Sequence, residues 1–409
     1  METHAQSRYD LFAPDALADP YSTYQRMRAD GPVHWSAALG GWVLLRQQDV
    51  LAALRDPRLS TARLGLMLQM LSTDERAQLQ PLAHAWDRWL SFVDQADHAR
   101  MRPLISAAFT PRIVAGMQPR IQRLVDELID GFVERGRCDL IADLAYPLPA
   151  TVITEMLGGR PQDRDQLKAW SDEIALIGRE REGLPILLRI QQGVLGMTGY
   201  FREIAAKRRA QPQDDLMSNL LQAEQAGHAL SIDEVLATCT LLLFAGHATT
   251  TQLIANGLLC LLKHPEQLQQ LKDNPALITS AVEEMLRYGG PALLLVRTAS
   301  ADLELGGQQI AAGQGVYPAV AAANRDPAVF ADPERFDITR GDNRHLSFGY
   351  GTHFCVGSAL ARLETRIAIE TLLRRLPNLR LATDQLQWTA TPIFRGLLAL
   401  PLAFDTPSS

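Results

Sequence analysis

The stretch Phe348-Gly-Tyr-Gly-Thr-His-Phe-Cys355-Val-Gly357 places one cysteine in a loop that contains glycines at 349, 351 and 357. Glycine suits a backbone that turns tightly, adopts positive φ and comes close to a flat ligand. The helix-forming run Ser358-Ala-Leu-Ala-Arg-Leu-Glu364 follows directly. It puts the Cys355 sulfur near the positive end of a helix dipole, within reach of backbone N–H groups. Both effects favour the thiolate, which is the form that binds metals.

A thiolate in such a loop fits a haem iron, because it pushes electron density toward the opposite axial position and favours O–O cleavage. A buried structural cysteine after a glycine-rich turn is the alternative, since free cysteine is often part of a core. Zinc is a weaker interpretation, because His353 and Cys355 supply only two ligands. The remaining cysteines lie far along the chain without paired ligand spacing: Cys138, Cys239 and Cys260.

A long helix is predicted to begin at Ser231, where Ser231 and Glu234 match the S-x-x-E capping box. The apolar pattern continues to about Lys263, and roughly 32 residues at roughly 1.5 Å each span about 48 Å. Its middle reads Ala245-Gly-His-Ala-Thr-Thr250. Small residues there let a bulky ligand approach, and threonine hydroxyls can bond to carbonyls one turn back and open the helix. A packing kink between helices is the alternative.

These stretches resemble the cytochromes P450. The loop matches that family's haem-binding pattern Phe-x-x-Gly-x-x-x-Cys-x-Gly, and residues 245–249 resemble its oxygen-binding groove, Ala-Gly-x-acid-Thr. Ala248 departs from the pattern, because the family usually has Glu or Asp there. Glu284 and Arg287 match a Glu-x-x-Arg pair that, in the family, binds the arginine of a Pro-x-Arg-Phe motif, here Arg335. The resemblance extends from about residue 10 to residue 404, with the motifs in the family's order.

The resemblance implies a mostly helical P450 fold with small β-sheets, as one domain over residues 1–409. Haem b (iron protoporphyrin IX) is expected between the long central helix and the cysteine-loop helix. Cys355 is expected to bind the iron within a loop that includes Phe348, Gly349 and Gly357. The expected contacts of the haem propionates are His98, Arg102, Arg297 and His353. The expected lining of an apolar substrate pocket is Leu241, Phe244, Leu293, Leu294, Ile393 and Phe394, with core packing as the alternative for each.

The implied reaction is monooxygenation, in which O₂, two electrons and two protons give an oxygenated product and water. Thr249 is expected to organise the proton path, while Ala245 and Gly246 make room for O₂. With Ala248 unable to relay protons, water or a substrate group is the expected relay, and His247 is the alternative. Other readings are a peroxide-driven or non-oxygenating haem-thiolate enzyme, or a haem-binding recruitment protein with little turnover.

Composition limits the partners. The net charge is −6 and basic residues are dispersed, which argues against a nucleic-acid binder. A polar N-terminus and a longest apolar stretch interrupted by polar residues predict no membrane segment. Unpatterned cysteines fit the cytoplasm. Electrons are expected from a separate ferredoxin and its reductase, docking on a basic patch that includes Arg100, Arg112 and Arg362. A carrier protein bearing the substrate is a further candidate partner.

Overall fold

The computed structural model describes residues 8–62, 71–177, 183–225 and 230–406. They cluster into two compact units. We call the first, built from residues up to 59, 114–149 and from 248 onward, the sheet unit, and the second, built from 60–113 and 150–247, the helical unit. The prediction of one domain stays a prediction.

The α-helices dominate the chain, as the sequence predicted. In chain order they are Pro14–Ala18, Pro20–Asp30, Gln47–Arg55, Thr73–Gln78, Gln80–Trp86, Gln95–Ser106, Pro111–Gly116, Gln118–Asp130, Pro147–Met156, Arg164–Ile174, Leu184–Ala210, Leu216–Gln225, Ile232–Lys263, Pro265–Asp273, Ile278–Gly289, Val320–Ala323 and Ser358–Arg375. The irregular sequence of residues 57–93 predicts a long loop with some helix. Its described part contains the helices Thr73–Gln78 and Gln80–Trp86, and residues 63–70 lie outside the described residues.

The strands form small sheets. They are β1 (Val33–Ser36), β2 (Gly41–Leu44), β3 (Leu59–Ser60), β4 (Arg137–Asp139), β5 (Arg297–Ala299), β6 (Leu303–Leu305), β7 (Gln308–Ile310), β8 (Gly315–Pro318), β9 (Arg380–Leu381) and β10 (Pro401–Ala403). The sheet orders are β1-β2-β8-β5-β3, β4-β10-β9 and β6-β7. The β-prone runs on either side of Leu39-Gly-Gly41 predict a hairpin, and the structure has one there, with β1 antiparallel to β2.

The main sheet separates two apolar clusters of the sheet unit. Along β2, Trp42 and Leu44 belong to one cluster and Val43 belongs to the other. Successive side chains of a strand point to opposite faces, so a short strand of apolar residues can supply both cores. This burial on both faces stabilises the main sheet, whose strand β5 begins at Arg297.

The central helix, Ile232–Lys263, begins one residue after its predicted N-cap. Ser231 Oγ accepts from the Glu234 N–H at 3.3 Å, and a Glu234 carboxylate oxygen accepts from the Ser231 N–H at 2.6 Å. The capping box is therefore confirmed. Among the described residues, this helix alone is long and apolar enough to cross a membrane, and half of its most apolar window is buried in the protein.

Candidate active site

The cysteine loop has the conformation that its glycines predict. Gly349 and Gly351 have φ values of 72° and 75°, a region that side chains with a Cβ rarely adopt. The Cys355 N–H donates to the Phe348 carbonyl at 2.9 Å, which closes the loop. The helix Ser358–Arg375 begins three residues later. The half-buried Cys355 thus lies at a helix N-terminus, where the dipole favours a thiolate.

The other cysteines are poor metal ligands. Burial raises the pKa of the Cys138 thiol to about 12 and that of the Cys260 thiol to about 11, and it raises the pKa of Cys239 further still. These thiols stay protonated near neutral pH. In the part of the chain that the structure describes, no group of three or more His, Cys, Asp or Glu residues could hold a metal ion. Nothing here supports the zinc alternative.

The surroundings of Cys355 fit haem, which takes one axial ligand from the protein and needs open space beside the loop. A Cβ added at Gly357 would meet no atom within 4 Å beyond its chain neighbours, so the backbone after Cys355 has a clear flank. The Phe348 ring that precedes the cysteine lies 4.5 Å from the Arg362 guanidinium. Arg362 donates to both carboxylate oxygens of Glu283, at 2.6 and 2.9 Å. The Arg362–Glu283 pair therefore packs against the aromatic ring at the start of the loop.

The middle of the central helix is accessible, although the turns around it are buried. Residues 241–243 and 250–251 are buried, whereas Phe244, Gly246, Ala248 and Thr249 are half-buried and Ala245 is exposed. A Cβ at Gly246 would lie 3.1 Å from the Ile153 side chain. Glycine there has a packing role beside the predicted one, because it lets a neighbouring helix approach.

His247 faces the protein interior. It is buried, and its Nδ1 lies 2.7 Å from the Leu243 carbonyl, one turn back along the helix. Burial lowers the pKa of His247 below its ordinary value, so the imidazole is neutral near pH 7. The assignment of the proton relay, with His247 as the alternative, stays a prediction.

The expected propionate contacts occur in both units. In the helical unit, His98 is buried and Arg102 is half-buried, four residues apart on the helix Gln95–Ser106. The Arg102 Nε donates to Ser106 Oγ at 2.9 Å. In the sheet unit, Arg297 is buried at the start of β5, and His353 is half-buried two residues before Cys355. Each residue can donate hydrogen bonds to a carboxylate.

The expected pocket residues differ in exposure. Leu293, Leu294 and Ile393 belong to a buried cluster with Tyr24 and Met27, so their side chains serve the core, as the alternative interpretation held. Leu241 is also buried, whereas Phe244 is half-buried and Phe394 is 38% exposed. Phe394 and Leu293 line a surface cleft that contains none of Cys355, Thr249 and Arg297. This cleft is distinct from the cysteine loop.

The Glu284–Arg287 pair is buried and has a structural role. The prediction that it binds the Arg335 side chain is wrong. Arg287 donates to both Glu284 oxygens at 2.7 and 2.8 Å and to the carbonyls of Asn324, Pro333 and Arg335. The guanidinium that approaches Glu284, at 3.3 Å, belongs to Arg340. Arg335 is exposed and contributes its carbonyl oxygen, because a turn closed by its N–H and the Asp332 carbonyl carries it to the surface.

The proposed basic patch is partly neutralised by acidic residues. Arg100 donates to Glu234 and Asp97, and Arg362 is engaged by Glu283 as described above. Hydrogen bonds from Arg362 and His345 lower the pKa of Glu283 to about 2, although burial alone would raise it. Arg112 is exposed. The pairings of Arg100 with Glu234 and of Arg362 with Glu283 could not be predicted from the sequence, since each joins residues more than 70 positions apart.

The chain matches known proteins over almost its whole length. A family model described as "Cytochrome P450" matches residues 196–379. The biotin biosynthesis cytochrome P450 of Bacillus subtilis (strain 168) is 41% identical over 95% of this chain and 97% of its own. The structure of P450BioI in complex with hexadec-9Z-enoic acid ligated acyl carrier protein superposes with a TM-score of 0.89, at 40% identity over 96% of this chain and 100% of that one.

The myxobacterial cytochrome P450 CYP267B1, in complex with myristic acid, gives a TM-score of 0.88 at 43% identity over 97% of this chain and 98% of its own. The mostly helical fold with small sheets, the haem cofactor and the monooxygenase class that the sequence predicted are thereby confirmed. Relatives of this identity and coverage, together with a cysteine at the N-terminus of a helix in a glycine-rich loop, establish that the chain belongs to the cytochrome P450 family.

Proposed function

We propose that this monooxygenase inserts one oxygen atom from O₂ into an apolar substrate, using electrons from a separate ferredoxin and reductase. The accessible turn Phe244–Thr249, within a helix that is buried on either side, is the observation that carries the proposal. The small residues of this turn, Ala245, Gly246 and Ala248, leave room for O₂ and for a substrate beside the helix. Bound haem supplies the oxygen activation and transfer.

Cys355 is proposed as the iron ligand. The closed loop holds its sulfur in place, and the dipole of the following helix favours its thiolate form. His98, Arg102, Arg297 and His353 are proposed to hold the two haem carboxylates through charge-assisted hydrogen bonds. His98 and Arg297 are buried, and a charge-assisted hydrogen bond to a carboxylate is stronger where water is excluded.

Thr249 is proposed to organise proton delivery, since its hydroxyl can both accept and donate a proton in a hydrogen bond. Ala248 offers only a methyl group where the family usually has an acid. His247 is neutral and bonded to its own helix. Ordered water or a polar group of the substrate is therefore proposed to supply the proton that replaces the one donated by Thr249.

The proposed substrate is fatty-acyl or of similar apolar character. Two structural neighbours support this class, because one is described with an acyl carrier protein bearing hexadec-9Z-enoic acid and the other with myristic acid. A substrate attached to a carrier protein is the second candidate. The enzyme is proposed to act in the cytoplasm, where ferredoxin-type donors and unpaired cysteines are expected.

The test is a reconstitution with three arms. Purified haem-loaded enzyme is supplied with NAD(P)H and surrogate ferredoxin and reductase, with H₂O₂ alone, or with neither, and product is measured from a panel of free and carrier-linked fatty acids. Product that depends on NAD(P)H, O₂ and ferredoxin supports the proposal. Product with H₂O₂ alone points to the peroxide-driven alternative. Ligand binding without product in any arm points to a recruitment protein.

A further inference from the structure

A charged pair of the sheet unit lies against the aromatic ring at the start of the cysteine loop. Arg362 belongs to the helix Ser358–Arg375, and its guanidinium lies 4.5 Å from the centre of the Phe348 ring. The backbone of the same phenylalanine contacts the cysteine, because its carbonyl accepts from the Cys355 N–H at 2.9 Å. Phe348 therefore connects the positive charge of Arg362 to the proposed iron ligand through its ring and its carbonyl.

Glu283 and His345 hold this guanidinium in place. Glu283 lies on the helix Ile278–Gly289 and accepts two hydrogen bonds from Arg362, at 2.6 and 2.9 Å. The His345 side chain is 4% exposed, and its Nε2 lies 3.0 Å from a Glu283 oxygen. Because the Ser347 N–H donates to the other ring nitrogen, Nδ1, at 3.2 Å, the ring carries its proton on Nε2 and donates it to Glu283. The orientation of Arg362 is thus fixed by its carboxylate partner.

The pair presents its positive member to the loop, since Arg362 contacts the Phe348 ring and Glu283 contacts Arg362. The pKa of Glu283 is about 2 although burial opposes ionisation, so the carboxylate stays charged at neutral pH. A partly buried ion pair is weak evidence for a stabilising role, because desolvation offsets much of the attraction. A unit charge about 10 Å away, in surroundings with an effective dielectric constant of about 20, can shift a one-electron equilibrium by roughly tenfold. The charges of this pair can therefore act on electron transfer as well as on packing.

We propose that Arg362, held by Glu283 and His345, raises the reduction potential of a haem iron bound to Cys355. The ferric iron takes up one electron from ferredoxin and becomes ferrous, with no bond to the protein made or broken, and a positive charge beside the ligand favours the ferrous state. Glu283 and His345 are positioning residues, which keep Arg362 on the Phe348 ring rather than in the expected docking patch. This role depends on the proposed function in one respect, namely that Cys355 binds the iron.

The test is a redox titration of the haem-loaded enzyme, followed by absorption, with mediator dyes and without ferredoxin. The variants are Arg362→Gln, Glu283→Gln and the double variant, which restores the net charge of the wild-type pair. Arg362→Lys keeps the positive charge and loses the planar guanidinium. Arg375→Gln is the matched control, because it removes the same charge from the same helix about 20 Å further along, where Arg375 pairs with Asp126 and Asp130.

The two single variants are expected to shift the potential in opposite directions. Arg362→Gln leaves the carboxylate alone and is expected to lower the potential, whereas Glu283→Gln leaves the guanidinium alone and is expected to raise it. Each shift is expected to be between about threefold and about tenfold in the ferric–ferrous equilibrium, or at most ~59 mV for one electron. The double variant, Arg362→Lys and the control Arg375→Gln are expected to stay close to the wild-type potential.

Shifts of the same sign in the two single variants, or a double variant displaced further than either, would assign the pair to packing and overturn the proposal. A shift in Arg362→Gln no larger than that in Arg375→Gln would overturn it too. If one single variant fails to bind haem, the sign of the other and the potential of Arg362→Lys still decide. The CO spectrum separates the two claims: a wild-type band at about 450 nm without the opposite shifts refutes this inference alone, whereas wild type without that band refutes the proposed iron ligand.

Discussion

Arg287→Lys is expected to be among the most destabilising conservative changes in the sheet unit. The Arg287 side chain is fully buried against an equally buried Glu284. Its guanidinium makes five hydrogen bonds, two to Glu284 and three to backbone carbonyls. These bonds use every N–H that the group has. Lysine offers three donors at one point, so it cannot serve both the carboxylate and the separate carbonyls.

The magnitude follows from the burial. Breaking a buried ion pair so that one charge loses its partners costs about 3–5 kcal/mol. Unfolding entropy near 2.1 cal/mol/K per residue gives about 0.9 kcal/mol/K for 409 residues, so Tm is expected to fall by about 4–6 °C. Because the carbonyls bound by Arg287 belong to the segment that leads to the cysteine loop, haem retention is expected to fall too.

The assay is thermal unfolding of the haem-loaded protein followed by circular dichroism. Arg160→Lys is the control, because Arg160 and Asp163 form another arginine–carboxylate pair three residues apart, with 75% of the arginine side chain exposed. This control is expected to leave Tm close to that of wild type. If Arg287→Lys shifts Tm no more than Arg160→Lys does, the buried network does not stabilise the fold as argued.

Three further predictions concern protons and charge. Ala248→Glu is expected to raise the coupling of NAD(P)H to product with surrogate substrates without changing the CO spectrum; unchanged coupling together with arrest of turnover in His247→Ala would transfer the relay to His247. Burial raises the pKa of Glu364 well above its ordinary 4.5, so the folded state holds a proton that the unfolded chain releases. Stability is therefore expected to fall as pH rises from about 4.5 toward the raised pKa. Glu364→Gln should flatten this fall between pH 5 and 8 in Tm measurements, and parallel profiles would contradict the burial argument. Ferredoxin-dependent reduction is expected to slow with salt and in Arg112→Glu, and rates insensitive to both would argue against docking by charge.

Local chemistry made part of the structure predictable. The hairpin and the start of the central helix follow from signals within a few residues of the elements themselves, the glycine pair and the Ser231–Glu234 box. Gly349 and Gly351 adopt the positive φ that a tight loop needs. The assignments of Cys355 and Thr249 depended on the family resemblance, since neither spacing nor composition specifies haem.

Tertiary contacts decided the rest. The Pro-x-Arg-Phe motif suggested that Arg335 meets Glu284, but the turn at Asp332 exposes it and brings Arg340 to Glu284 instead. Apolar character could not distinguish Leu293, a core residue, from a pocket wall.

The absorption spectrum of the reduced enzyme with CO reports which atom binds the haem iron. A Cys355 thiolate ligand predicts a band at about 450 nm. That band should be lost in Cys355→Ser and retained in the serine variants of Cys138, Cys239 and Cys260, whose thiols are held protonated by burial. A band that persists in Cys355→Ser, or that disappears in one of the other three variants, would contradict the assignment of the iron ligand.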